Sequence, residues 1–420
     1  MKKYTFILLL CLVFVSLVSC GSPDEPIDIS TDESRESLSP EEQIAGCDHS
    51  FGEWKAEGAE NCITEGVQTR KCKFCPYKET ETVTGAHSFV DRKCEYCEKI
   101  EPSAGFKYEE DKSNNGYIAI ITADVTDEII SIPDEYLGKP ITRIDKDDEH
   151  LVLVLENVRE VYIPASVVCI DSGAFQYMSN LSAVHIEEES MLQKISVGAF
   201  RNCTSLVSVS FEKCTRLNSI ETEAFRACSS LESLILPEGV NSLGSDVFKE
   251  CVKLKNFEFT GSFRNLGYEI FAGCVSLENI NFMNKSSIIG DSMFFGCTGL
   301  KNIRIPDSIT EIRSGAFYGS GLEHVALPQS LETIDKNAFS RCKNLQTVEL
   351  NGSFTEIPDN MFYECSSLFE VSGDVVISRI GKNAFSGCTA LRVLGFETAE
   401  DLRVGENAFA GCDSLENIPW

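Results

Sequence analysis

The stretch Phe294-Phe-Gly-Cys297-Thr-Gly-Leu300-Lys-Asn-Ile303-Arg-Ile305-Pro306-Asp-Ser-Ile309-Thr-Glu-Ile312-Arg-Ser-Gly-Ala316-Phe317 decides the fold. It opens on a beat, Phe294…Cys297…Leu300, that returns at Phe200…Cys203…Leu206, Phe225…Cys228…Leu231, Phe248…Cys251…Leu254 and Phe271…Cys274…Leu277. After an altered copy at Phe317 it resumes at Phe339…Cys342…Leu345, Phe362…Cys365…Leu368, Phe385…Cys388…Leu391 and Phe409…Cys412…Leu415. An early copy, Phe175…Met178…Leu181, carries Met in the Cys position, which makes eleven copies at intervals of 22 to 25 residues. A period in that range means stacked supersecondary units, each burying its apolar face against its neighbours.

Within the unit, Leu300, Ile303 and Ile305 make an L-x-x-I-x-I strand with alternate residues inward. Pro306-Asp307-Ser308 turns the chain, Ile309 and Ile312 form a second short apolar segment, and Gly315-Ala316-Phe317 closes the coil with a bulky plug. These residues resemble the BspA-like class of leucine-rich repeats, with a consensus near L-x-x-V-x-I-P-x-S-V-x-x-I-G-x-x-A-F-x-x-C. The resemblance runs from Phe175 to the end, or from Ile144 with an irregular lead-in. It implies a right-handed, β-rich repeat solenoid on a bacterial surface, in a family that includes adhesins for host matrix proteins or other cells. Intervals of 25 residues near Met191 and Cys214 predict small bulges, and Gly321-Leu322 a shortened link. At Ile418-Pro-Trp420 the expectation is a frayed end partly covered by Trp420.

Upstream, Phe106 to Ile144 is outside the repeat but rich in strand formers, with strands expected at Gly116–Thr122 and Ile129–Ile132. It stands where a stack needs an N-terminal β cap. Before it, six Cys and two His fall between Cys47 and Cys97. Cys72/Cys75 and Cys94/Cys97 form two CxxC knuckles, the spacing that aims two thiolates at one tetrahedral ion. With Cys47, His49, Cys62 and His87 there are eight candidate ligands, enough for two structural zinc sites with no open position. The opening Cys47-Asp-His49-Ser-Phe51-Gly-Glu-Trp54 resembles the short Cys/His modules found beside bacterial surface repeats. A small Cys-rich zinc-ribbon module is therefore expected, with three disulfides as the competing reading in an exported chain.

Lys2 and Lys3 followed by an apolar run from Phe6 to Val18 read as an export signal too short to span a bilayer. Leu17-Val18-Ser19-Cys20-Gly21 resembles the bacterial lipoprotein lipobox, which implies cleavage before Cys20 and lipidation of its thiol. From Ser22 to Gln43 eight acids face Arg35 alone among three Pro, a disordered tether. Acids so near the lipidated Cys are similar to the surface-export signal of Bacteroidetes-like lipoproteins. The expected order is signal 1–19, lipidated Cys and tether 20–46, Cys/His module 47–99, cap 104–145 and repeats 146–420. A net charge of −28 argues against a nucleic-acid partner, which needs a basic stripe.

The Phe, Leu and Cys columns are expected to be core, the Cys as unpaired buried thiols, Cys169 and Cys214 included. Recognition must then lie on the outward residue between the two apolar strand positions. That column reads His185, Ser210, Ile235, Glu258, Asn281, Arg304, Ala326, Glu349, Ser372 and Gly395, with no constant chemistry. Mixed chemistry suits a protein ligand, and Glu258, Asn279, Asn281, Asn302, Arg304 and His324 form the expected contact patch. Glycan or envelope-polymer binding and a passive structural role are the competing readings. No motif for a nucleophile elbow, a zinc protease or a phosphate loop occurs, so no enzyme is expected.

Overall fold

A computed structural model describes residues 101–147, 155–259, 263, 265–281 and 286–415, together with short strands between 55 and 94. The chain divides into two compact units, Met1–Ser88 and Phe89–Trp420. In the first, Lys55–Glu57, Glu65–Lys71 and Lys78–Thr84 form a three-stranded antiparallel sheet. The second is a stack of coils whose strands make two parallel ladders.

The first ladder uses the L-x-x-I-x-I segments: Ile129–Ser131, Glu160–Ile163, Ala183–Ile186 and Ser208–Val209, then Ser233–Ile235, Asn256–Glu258 and Asn279–Asn281. It continues through His324–Ala326, Thr347–Leu350 and the longer strands Glu370–Ile380 and Val393–Val404. The second ladder uses the short segment after the turn: Lys139–Lys146, Cys169–Ile170, Lys194–Ile195, Ser219–Ile220, Ser242–Leu243 and Asn265–Leu266, with Ile288–Ile289, Glu311–Ile312 and Thr333–Ile334 above. Each ladder strand turns alternate residues inward, which the two-residue period requires. Gly116–Ile121 pairs parallel with Lys139–Lys146, so the irregular lead-in carries rungs of both ladders; Phe106–Asp111 adds to it antiparallel. The strands expected at Gly116–Thr122 and Ile129–Ile132 are present within a residue.

The beat itself forms the third side. Every Phe of the beat from Phe175 to Phe385 is fully buried, and ring stacks on ring down the column to Phe409 at centroid separations of 5.1 to 5.9 Å and interplanar angles of 20° or less. Each of these Phe amides donates to the carbonyl of the residue before the next Phe, as in Phe271 to Met293 at 3.0 Å and Phe294 to Ala316 at 2.8 Å. To present those amides along the stack axis, the chain takes positive φ two residues before and two residues after each Phe. Gly and Asn fill many of these positions, as at Gly198 and Asn202, but Glu223, Ala227 and Arg341 adopt the same conformation at a cost of about 1–2 kcal/mol each.

The Cys column is free thiol throughout, and nine of its eleven described members are buried, with Cys169 and Cys412 half-buried. Its role is more specific than filling space. Each beat thiol donates to the carbonyl of the previous coil's Phe, from Cys203 to Phe175 through Cys412 to Phe385, at 3.0 to 3.2 Å. The altered copy at Phe317 puts Ser320 in this register, where its hydroxyl lies 3.3 Å from the Cys342 sulfur. The shortened link beside it is also real: at Gly321 a Cβ would stand 2.0 Å from the Thr298 carbonyl oxygen, so the short coil passes over its neighbour only as glycine. Residues 416–420, including Trp420, lie outside the described residues.

Candidate functional face and family

The six residues expected to form a contact patch share one surface, the outward side of the first ladder. The parallel register sets Asn256 beside Asn279 and Glu258 beside Asn281. Asn279 Nδ2 donates to Asn256 Oδ1 at 2.8 Å, and Asn281 Nδ2 reaches Glu258 Oε1 at 3.4 Å. Asn302 bridges His324, whose Nδ1 lies 2.8 Å from Thr347 Oγ1. Asn279, Asn281, Asn302, Arg304 and His324 are exposed, and Glu258 is half-exposed. A concavity of about 390 Å³ continues the face past His324, lined by Ala326, Thr347, Glu349, Glu370 and Ser372.

Asn279, Asn302 and His324 belong to a second column on this face, two residues upstream of the first, which runs in full through Ser208, Ser233, Asn256, Asn279, Asn302, His324 and Thr347. Seven successive coils thus display a hydrogen-bonding side chain without a carboxylate, Lys or Arg among them. Asn256 and Thr347 belong to the face although the sequence reading passed over them. The signal was available, because strand residues i and i+2 face the same way. At the N-terminal end, His185 stacks on Tyr162 at 4.3 Å and meets the Glu160 carboxylate at 3.1 Å, so this outward His is held by its neighbours.

The zinc expectation is corrected. No group of three or more His, Cys, Asp or Glu able to hold a metal occurs among the described residues. The residues named for it are divided between the two compact units: Cys47, His49, Cys62, Cys72, Cys75 and His87 in the first, Cys94 and Cys97 in the second. Apart from the Cys94 backbone, which pairs with Phe89 in a two-strand hairpin, they lie outside the described residues. CxxC spacing sets the local turn; it does not by itself gather four ligands, and the zinc-ribbon module is withdrawn. The repeat thiols offer no alternative, since burial pushes them up, Cys342 to about 11 and Cys251, Cys274 and Cys365 well above the ordinary thiol value, which keeps them protonated and poor ligands.

A stack of coils with an inward Leu, Phe and Cys lattice and a decorated strand face is a leucine-rich-repeat solenoid. The family model of the BspA type leucine rich repeat region matches residues 154–278 and 264–392, and the chain belongs to that family. Its scaffold is non-catalytic. Among solved structures the chain is similar to a leucine-rich repeat protein of Bacteroides ovatus, at 27% identity and a TM-score of 0.52, over 74% of this chain and 92% of that one. It is also similar to the pneumococcal vaccine antigen PcpA, at 18% identity and a TM-score of 0.49 over 75% and 85%. A leucine rich cell surface protein of Faecalibacterium prausnitzii matches at 21% identity and a TM-score of 0.44 over 80% and 83%. No curated protein matches the chain. Among the described residues no helix is long and apolar enough to cross a membrane.

Proposed function

We propose that the chain is a bacterial surface lipoprotein whose solenoid binds a protein ligand, from host matrix or another cell, through the outward face of the first ladder. The observation that carries this reading is the patch of Glu258, Asn279, Asn281, Asn302, Arg304 and His324: side chains of mixed chemistry, exposed apart from half-exposed Glu258, with Glu258, Asn279, Asn281 and His324 on parallel strands and Asn302 bridged to His324. Mixed chemistry on a preordered sheet suits the irregular surface of a folded partner, where a few residues supply most of the binding energy. In this reading Cys20 carries the lipid, residues 20–46 are the tether, and 104–145 cap the stack. In the same reading Lys2, Lys3 and the apolar run from Phe6 to Val18 act as the export signal.

A second reading is favoured by the neutral column from Ser208 to Thr347, whose repeating hydroxyl and amide groups suit a polyhydroxyl glycan. Capture by the purified chain separates the two. Incubated with a solubilised extracellular-matrix extract and, separately, with purified envelope glycans, it is expected to retain matrix protein and release glycan in the wash. Retention of glycan alone would replace the protein reading with the second one, and retention of neither would leave a structural surface component.

A further inference from the structure

One member of the outward column is a large exposed aliphatic. Ile235 is 52% exposed among polar and small neighbours, and beside it lies an apolar notch of about 430 Å³ lined by Leu236, Pro237, Thr215, Glu212 and Glu238. The notch follows from coil length. Five residues, 212–216, join Phe211 to Leu217 in one coil, whereas three, 237–239, join Leu236 to Val240 in the next. Phe211 and Leu236 close their outer strands, and Leu217 and Val240 open the inner segments at the same register, three residues before Ile220 and Leu243. The longer turn therefore stands as a wall over the shorter one, and Ile235 forms the rim.

The longer turn also carries Lys213 and Arg216, but neither lines the notch, whose own charge has one sign. Two carboxylates and no cation line the notch, and among the described residues neither Glu212 nor Glu238 has an ion-pair partner. Lys213 next door is committed to Glu188. Glu258 sits on the rung adjoining Ile235. We infer that the notch receives an apolar side chain of a partner protein segment in which that side chain is flanked by Lys or Arg. This inference rests on the protein-binding reading and names the chemistry of its partner. The apolar group gains by leaving water, and the flanking cations meet acids held without cations of their own.

The test uses the full chain and three fluorescein-labelled peptides, read by anisotropy at low salt. One has a single leucine between pairs of lysines, one replaces that leucine with glycine, and one replaces the lysines with glutamates. The first is expected to bind, and each of the others to bind about tenfold more weakly or not at all. Ile235→Ser weakens the first peptide about tenfold, and the chain tolerates it because Ser210 already occupies the same register one coil below. Glu212→Gln with Glu238→Gln weakens it as well and flattens its salt dependence. Equal binding of the glycine peptide, or no change with Ile235→Ser, would mean charge attraction alone and overturns the proposal. Undiminished capture of matrix protein by the Ile235→Ser chain would then leave the protein-binding reading standing without the notch.

Discussion

Raising the pH from 8 to 10.5 unfolds the repeat stack in a steep step. Eight beat thiols, Cys203, Cys228, Cys251, Cys274, Cys297, Cys342, Cys365 and Cys388, are buried, and desolvation raises every one of them above its ordinary value. In the unfolded chain a thiol ionises near pH 8.5. Between that pH and the folded values the unfolded state binds fewer protons, so stability is full below about pH 8 and falls as pH rises. One unit above the unfolded value each thiol costs about 1.4 kcal/mol, and eight cost about 11 kcal/mol, comparable to the whole stability of a typical domain. Circular dichroism and thiolate absorbance are expected to change together. The pair Cys274→Ser and Cys297→Ser moves the midpoint upward, since Ser320 shows that a hydroxyl is accommodated in this register. A stack still folded at pH 11 would mean that the thiols do not sit in the column described.

Phe294→Ala costs about 3–5 kcal/mol, measured by urea denaturation. Its ring is fully buried between Phe271 at 5.7 Å and Phe317 at 5.3 Å, so truncation leaves a cavity bounded by two rigid rings and by backbone that the Phe294 amide holds to Ala316. The surroundings cannot collapse without breaking that rung. Because a solenoid is coupled chiefly between neighbours, the loss is expected to separate the coils on either side into two transitions. Peptide-resolved alkylation then finds Cys274 and Cys297 modified before Cys365 and Cys388. A single unshifted transition would place the stabilisation elsewhere.

The inner lattice was legible from sequence because each of its rules has a residue signature. Leu300 and Ile305 are buried and Ile303 half-buried as the pattern requires, although this coil meets the ladder only through an isolated bridge from Asn302 to His324, and Phe recurs wherever a coil closes. The hydrogen bond from each thiol to the preceding Phe carbonyl was not legible, since a small buried Cys satisfies packing equally well without it. Nor was the paired positive φ, because Glu223, Ala227 and Arg341 take a conformation that only Gly198 or Asn202 would have announced. The outward patch drew on both columns, Glu258, Asn281 and Arg304 from one and Asn279, Asn302 and His324 from the other, but Asn256 and Thr347 were passed over although the same two-residue period governs them. The step at Ile235 was foreshadowed as a bulge near Cys214, but whether a bulge makes a wall or a bump depends on the next coil. The zinc reading failed because spacing within a knuckle says nothing of where the other ligands lie.

On the protein-binding proposal, recognition belongs to the outward face of the first ladder and the beat serves only the interior. Capture of matrix protein by the full chain tests it directly, comparing Asn256→Lys/Asn279→Lys/Asn302→Lys on that face with Asn265→Lys/Thr333→Lys on the second ladder, whose side chains are also exposed. With the alkaline midpoint unchanged in both, the first variant is expected to lose capture and the second to retain it. Capture that survives the first and disappears with the second would contradict it.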